Sequence, residues 1–323
     1  HTNFKLSSKG ESLVLFDSTG NQVDLLNVTG LTTDKSIGRS KKDGSLVYYE
    51  APSPGSENSD EEFFGITSSE VIFSHDGGQF NGQNISLSGT SPGEQIRYTL
   101  DATVPNAQSP LYSSAISIDR DMVVRARIFQ SDYIPSRTAS RTYITSNTHD
   151  LPIVTLVTEP NNLFDENEGI YVYGPEENYE DALPFFGANF WQDWERDVHF
   201  SFYEPTGELG VAMDAGVKIF GAWSRANDQR SLSIFARGRY GFSKLKYPLF
   251  PSLDYDSFES IVLRNAGNDW TNSNMRDVMA TSLMGGSGLE TQAFRPTAVY
   301  LNGEYWGFYN IREKVNEHFL DDK

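Results

Sequence analysis

Short runs of β-favouring residues, separated by Gly, Pro, Asn and Ser, pattern the first half of this chain and predict strands. In ESLVLFDSTGNQVDLLNV, two such runs flank Ser18-Thr19-Gly20-Asn21, which reads as a hairpin. SLVYYEAPSPGSEN adds one strand and a Pro/Gly exit, and SENSDEE, residues 56–62, forms an exposed acidic linker. From Phe63 to Tyr143 the runs EVIFSHDGGQF, QNISLSG, EQIRYTLD, AISI, MVVRARIF and SRTYI repeat with turn signals between them, the pattern of a β-sandwich.

The pattern changes after Asn147. DLPIVTLVTEP predicts a buried strand ended by Pro160. In VKIF, Val217 and Ile219 share one strand face and Lys218 takes the other; in RSLSIFAR, Arg230 shares parity with Leu232, Ile234 and Ala236 and so sits at the mouth of an apolar face. Ile261, Val262 and Leu263 make a strand, Asn265 to Trp270 a turn, and Ser273 or Asn274 caps a helix. In that helix Met275, Val278, Met279 and Ser282 repeat at helical spacing, and Gly285-Gly286 stops it. Asn302-Gly303 supplies the two positive-φ positions of a tight hairpin, which sets Tyr300 opposite Tyr305 and Val299 opposite Trp306. Gly307 admits a close neighbour, and Glu313 ends the strand and begins a helix through His318.

At 323 residues the chain is long enough for about two to three domains. Its 44 acidic against 26 basic residues give a net charge of −18, which opposes nucleic acid and anionic lipid as partners. No apolar run is long enough to insert in a membrane, and zero Cys removes disulfides, thiolate metal sites and cysteine nucleophiles. The five His residues show no metal-ligand spacing, and no Gly-x-Ser-x-Gly elbow or calcium loop is present. Charge is segregated, however. Between Glu159 and Glu208 the only Lys or Arg is Arg196, whereas between Gly216 and Lys246 the cations Lys218, Arg225, Arg230, Arg237, Arg239, Lys244 and Lys246 have only Asp228 among them. In so acidic a chain, that basic stretch is a candidate anion site.

Three stretches, GVKIFGAWSRANDQRSLSIFAR, SIVLRNAGNDW and VYLNGEYWGFYNIREK, together resemble the CotH family of atypical protein kinases. NNLFDENEGIYVYG resembles that family's opening segment, including a Gly-Ile-Tyr-Val strand. IRYTLDATVPNAQSPLYSSAISIDRDMVVRARIFQSDYIPSRTASRTY resembles the fibronectin-like module that ends chitobiases and hexosaminidases. There Asp101-Ala102 stands where the family usually has Asp-Gly, so a different turn geometry is expected. Tyr98, Tyr112 and Tyr133 are open to carbohydrate contact or to ordinary packing. NFKLSSKGESLVLFDSTGNQVD with SIGRS and LVYYE resembles the second half of an immunoglobulin-like lamin-tail domain.

These resemblances imply a multidomain chain: two all-β sandwich modules of immunoglobulin or fibronectin type, a partial one over residues 1–58 and a second over 63–146, then an α+β kinase-like amino-lobe over 150–323. They further imply an exported bacterial protein, secreted or at the cell surface, with protein or cell-surface glycan partners. The family's catalytic carboxylate and metal-binding Asp lie beyond NEHFLDDK, so the full-length parent is expected to use ATP and Mg while this fragment holds neither tightly and is inactive. A noncatalytic adhesion, scaffold or carbohydrate-binding protein is the competing expectation.

The nucleotide-binding candidates are Lys218, Arg225, Arg230, Arg264, Arg276 and Glu313; no catalytic or metal-binding residue is assigned. Arg230 stands in Gln229-Arg230-Ser231 where CotH relatives commonly carry a Lys that resembles a phosphate-contacting kinase lysine. Arg grips phosphate bidentately but with different geometry. A structural ion pair is the other reading of Arg230. Arg264 and Arg276 order a phosphate or bridge to Glu313, or else are held by Asp269 and Asp277. Tyr305, Trp306, Phe308 and Tyr309 are core residues or an adenine platform.

Overall fold

The computed structural model describes residues 10–28, 31–146, 149–285, 287–317 and 319. Over the second half, seven strands close into a barrel, in the spatial order Ile153–Val157, Arg196–Tyr203, Leu209–Phe220, Ser231–Phe235, Ser260–Arg264, Glu304–Glu313 and Phe294–Leu301. All neighbours pair antiparallel except at the closure, where Ile153–Val157 runs parallel to Phe294–Leu301 with Ile153 opposite Ala298. Closure leaves no free edge among these strands.

The barrel forms because one parity of each strand is apolar. Val154 and Leu156, Phe200 and Phe202, Val217 and Ile219, Leu232 and Ile234, Ile261 and Leu263, and Tyr309 and Ile311 fill one continuous core. Each such side chain contributes roughly 1.5–3 kcal/mol of burial. Lys218 lies on the outer parity as expected, and Arg230, 4% exposed, continues the inner row of Leu232 and Ile234.

Several local expectations need correction. Asn302 and Gly303 take φ of 50° and 88°, and Tyr300 pairs with Tyr305, but Val299 pairs with Gly307 because a bulge follows it. Trp306 is the extra residue, held by its indole N–H donating to Tyr171 Oη at 2.9 Å. Gly169, Ile170, Tyr171 and Val172 form turns rather than a strand. Met275, not Ser273 or Asn274, stands at the N-cap of the helix Arg276–Leu283, and Ser273 Oγ reaches the Met275 N–H at 3.2 Å but no N–H within the helix. Instead the Asp269 carboxylate, seven residues upstream of Arg276, accepts the backbone N–H groups of Met275 and Arg276, both at 3.1 Å. Val278 is its buried residue, while Met279 is exposed. Residues 314–317 form no helix; His318 and Gly286 lie outside the described residues.

The second β unit is a sandwich. Its four-stranded sheet, ordered Glu94–Thr99, Met122–Gln130, Ala139–Ile144 and Gly78–Gln79, packs on short two-stranded sheets around Ile85, Leu87, Ile96, Val124, Ile128 and Tyr143. Tyr98 and Tyr112 pack against this core, edge to face at 6.3 Å. Tyr133 is half-buried, its ring so close that a Cβ on Gly65 would lie 2.8 Å from it. Ala102 takes the left-handed conformation that glycine would favour, at φ 65°. The described part of the first segment is two separate hairpins, Glu11–Phe16 with Gln22–Val28 and Ser36–Arg39 with Leu46–Tyr49. A Tyr48 to Phe63 bridge and a 3.7 Å ion pair from Glu50 to Arg127 attach the second hairpin to the sandwich.

Sandwich and barrel also meet directly. Tyr203 Oη donates to the Asp76 carbonyl at 2.9 Å, and its ring lies where a Cβ on Gly78 would be 2.7 Å away. His149 hydrogen-bonds Tyr300 Oη at 2.8 Å and stacks on Tyr305, with ring centroids 5.6 Å apart. Among the described residues no helix is long and apolar enough to cross a membrane.

Candidate functional site

Outward parity on the barrel brings three cations to one ring. Gly216 pairs with Phe235 and Lys218 with Ser233, so Lys218 and Phe235 occupy the outer face of adjacent strands. Ser260 pairs with Phe235 and Ile261 with Glu313, which delivers Lys314 from the next strand over. Around the Phe235 ring, Lys314 Nζ stands 4.5 Å, Arg237 Cζ 4.7 Å and Lys218 Nζ 5.9 Å from the centroid. Ser243 and Asn316, together with the carboxylates Glu259 and Glu317, also line this groove of about 540 Å³.

The electrostatics of this groove are uneven. Lys314 is pushed below its ordinary pKa by burial, and the positive charges of Lys218 and Arg237 push the same way. Carboxylates from the acidic stretch partly neutralise the others. Asp193 meets Lys218, with Asp193 89% exposed, and Glu195 accepts Arg237 Nε at 3.1 Å and also Arg239. Burial pushes the Glu195 carboxyl up, but hydrogen bonds from Arg237 and Tyr240 outweigh it and hold it below the usual range. Gly216 makes room for that carboxylate: a Cβ there would lie 2.3 Å from Glu195 Oε1. Lys244 sits 3.8 Å from Glu259. The basic stretch is therefore not isolated in space as its sequence suggests.

Of the six nucleotide-binding candidates, only Lys218 reaches this groove. Arg225 donates to the carbonyls of Gly221 at 2.7 Å and Phe190 at 3.0 Å. Arg230 makes no ion pair among the described residues. Its guanidinium lies 4.3 Å from the Phe190 ring centroid and 4.8 Å from that of Tyr171, and donates to the Asp228 carbonyl at 3.3 Å. Arg264 and Arg312 both donate to Asp277 at 2.7 Å, and Arg276 lies 3.4 Å from Asp269. Glu313, 4% exposed, accepts the Ala293 N–H at 2.6 Å and the Tyr255 hydroxyl. Tyr309 is buried and Tyr305 is covered on one face by His149, so neither forms an open platform.

The motif residues around Arg230 hold one another. Gln229 donates to the Phe308 carbonyl at 2.7 Å and accepts the Trp270 indole at 2.9 Å. Ser231 and Asn265 exchange hydrogen bonds of 2.8 and 3.0 Å. Tyr171 Oη accepts the Arg230 N–H at 2.8 Å, and Tyr309 Oη donates to the Arg230 carbonyl at 2.9 Å. Gly307, at φ 134°, leaves the gap that Gln229 fills, since a Cβ would lie 2.9 Å from Gln229 Oε1.

Sequence reasoning singled out neither Phe235 nor Lys314. Arg237 stood only as one member of the basic stretch. Their meeting depends on strand register across three chain segments, which no local pattern carries.

Comparison with known families agrees with two of the three resemblances. Residues 217–323 match the family described as CotH kinase protein, and residues 75–140 match the chitobiase/beta-hexosaminidase C-terminal domain. No lamin-tail match accompanies them over residues 1–58, and no curated protein matches the chain. The CotH match contains the three groove cations and, apart from Tyr171, the hydrogen-bonded node described above.

Proposed function

We propose that the barrel is the phosphate-receiving part of a CotH-type, ATP-dependent protein kinase, and that the groove over Phe235 is where a phosphate chain lies. The observation that carries this reading is the convergence of Lys218, Arg237 and Lys314 on one ring in a chain of net charge −18. Three cations this close repel one another, and burial has already pushed Lys314 toward its neutral form. A polyanion relieves both costs at once. In the Lys218 to Asp193 pair the carboxylate is 89% exposed and the lysine side chain 18%, so solvent screens the carboxylate side and a ligand phosphate competes with it.

The chain's own part in such chemistry is to bind and orient phosphate and to neutralise charge that develops on it. A metal ion, when bound, would supply neutralisation of the charge on the phosphates. Among the described residues no three His, Asp or Glu side chains gather as a metal site, so no step is assigned through an ion.

Arg230 does not take the place of a phosphate-gripping lysine in this arrangement. Its enclosure by two rings, and the internal use of Gln229, Asn265 and Trp270, favour a second reading in which the barrel is a noncatalytic interaction platform. Thermal-shift titration with ATP, with and without magnesium, separates the two. A saturable rise in melting temperature that is abolished in Lys218→Ala/Lys314→Ala supports phosphate reception; a ligand at about 100 times its Kd stabilises by roughly 2.7 kcal/mol. No shift at concentrations of several millimolar supports the platform reading.

A further inference from the structure

The chain carries two Asn-Gly pairs, Asn81-Gly82 in the sandwich and Asn302-Gly303 at the tip of a barrel hairpin. Such a pair has a chemistry of its own in water. Glycine has no Cβ to shield its backbone nitrogen and turns through conformations closed to other residues, so that nitrogen can swing onto the amide carbon of the asparagine before it. Whether it does so depends on how firmly the fold holds the two residues.

Asn302-Gly303 is clamped. Asn302 Oδ1 accepts the Thr158 N–H at 2.9 Å, and the Asn302 N–H donates to the Leu156 carbonyl at 2.8 Å. Gly303 is buried against the sandwich, where a Cβ would lie 3.3 Å from the Met122 backbone. Cyclisation there requires the side chain to leave Thr158 and the turn to open.

Asn81-Gly82 is not held in this way. It lies between the strands Gly78–Gln79 and Asn84–Ile85, and residues 81–84 are all exposed. Among the described residues neither the Asn81 side chain nor the Gly82 N–H has a hydrogen-bond partner. The ends of the loop, by contrast, are fixed. Phe80 donates its N–H to the Ile144 carbonyl at 2.8 Å and packs edge-on against Tyr143, with ring centroids 5.2 Å apart, while the Gln83 carbonyl accepts the Ile118 N–H at 2.8 Å. The Phe80 ring leans over Gly82 so closely that a Cβ there would lie 2.5 Å from its Cζ. Packing therefore calls for glycine at this position, and the same missing Cβ leaves the Gly82 nitrogen open to reaction.

We propose that Asn81-Gly82 is a self-modification site whose only co-reactant is water. The Gly82 nitrogen bonds to Asn81 Cγ while the bond from Cγ to the side-chain nitrogen breaks. The proton from Gly82 passes through solvent to the departing nitrogen, which leaves as ammonia. Water then opens the cyclic imide at either carbonyl, leaving an aspartate or an isoaspartate at position 81; the net change is hydrolysis of an amide, with no oxidation or reduction. Either product adds a negative charge to a chain already at −18, and isoaspartate lengthens the main chain by one carbon between the fixed Phe80 and Gln83.

Incubation of the folded 323-residue chain in heavy-oxygen water at mildly alkaline pH, with a parallel sample in urea, followed by digestion and mass spectrometry, tests this. The Asn81 peptide of the folded chain is expected to gain heavy oxygen and to resolve into two products, one of them labelled by an isoaspartyl methyltransferase. The Asn302 peptide in the same digest should convert more slowly by about tenfold or more, a factor that corresponds to an opening cost of roughly 1.4 kcal/mol. In urea, where both pairs are released, the two should convert at similar rates. Asn81→Gln, at an exposed position, should abolish conversion of its peptide and leave that of Asn302 unchanged. An Asn81 peptide that stays intact in the folded chain while converting in urea, equal rates for the two pairs in the folded chain, or conversion without the isoaspartyl product overturns the proposal.

Discussion

Lys314 and Lys218 approach the same ring, that of Phe235, although 96 residues separate them in the sequence. Neither lysine marks a site alone. Together with Arg237 they make a cationic groove whose electrostatic strain is relieved by an anion, and that strain has measurable consequences.

The first concerns pH. Lys314 has a folded-state pKa below its ordinary 10.5, so between the folded value and 10.5 the unfolded chain binds more protons than the folded one. Its contribution to stability is therefore fully present above 10.5 and is lost as pH falls through the folded value. Lys314→Met should flatten this part of the stability profile, measured by urea denaturation at alkaline pH. A phosphate ligand should raise the lysine's pKa again, so that binding takes up protons and weakens as pH rises. Calorimetry in buffers of different ionisation enthalpy reads that uptake directly.

Asp269 acts with the opposite dependence on acidity. Hydrogen bonds from the Ser273 hydroxyl and the Arg276 N–H hold its pKa at about 2, against an ordinary 3.8. The stability this carboxylate contributes is present above the ordinary value and is lost as pH falls toward the folded one. Asp269→Asn should destabilise the chain at neutral pH, and the gap between variant and wild type should close on acid titration. A gap independent of pH would assign the residue's effect to shape rather than charge.

Arg230→Lys should cost on the order of 2 kcal/mol, the magnitude of a desolvated cation–π contact, because an ammonium cannot stack between Tyr171 and Phe190 as a planar guanidinium does. Pyrophosphate affinity should be unchanged. Equal stability of the two forms, with altered affinity, would return Arg230 to the anion site.

Gly307→Ala tests the hydrogen-bonded node around Gln229. At φ 134°, with Gln229 occupying the space a Cβ needs, the substitution should cost about 1–3 kcal/mol of strain and lower the denaturation midpoint. If the midpoint is unmoved, Gln229 is not held as described.

What the sequence made legible was local. The Asn302-Gly303 turn, the outward Lys218 and the apolar row of Leu232 and Ile234 follow from turn chemistry and two-residue periodicity, and all are seen. The barrel's closure was not legible, because it depends on Ile153 pairing with Ala298 across nearly the whole region. The Trp306 bulge escaped for a similar reason: the register shifts by one where the Trp306 indole donates to Tyr171 Oη, 135 residues away. Charge was misread most. Asp193 and Glu195 belong to a stretch that looks purely acidic, yet they fold against the basic one and hold Lys218, Arg237 and Arg239.

The most direct test of the phosphate-receiving groove is calorimetric titration of the chain with pyrophosphate, compared with Lys314→Ala and with Arg264→Ala as a control outside the groove. The account predicts saturable binding that weakens by about tenfold or more in Lys314→Ala, the loss of one charge-assisted contact, and that Arg264→Ala leaves intact. Binding that survives Lys314→Ala and fails in Arg264→Ala would contradict it, and would move the anion site to the Asp277 side of the barrel.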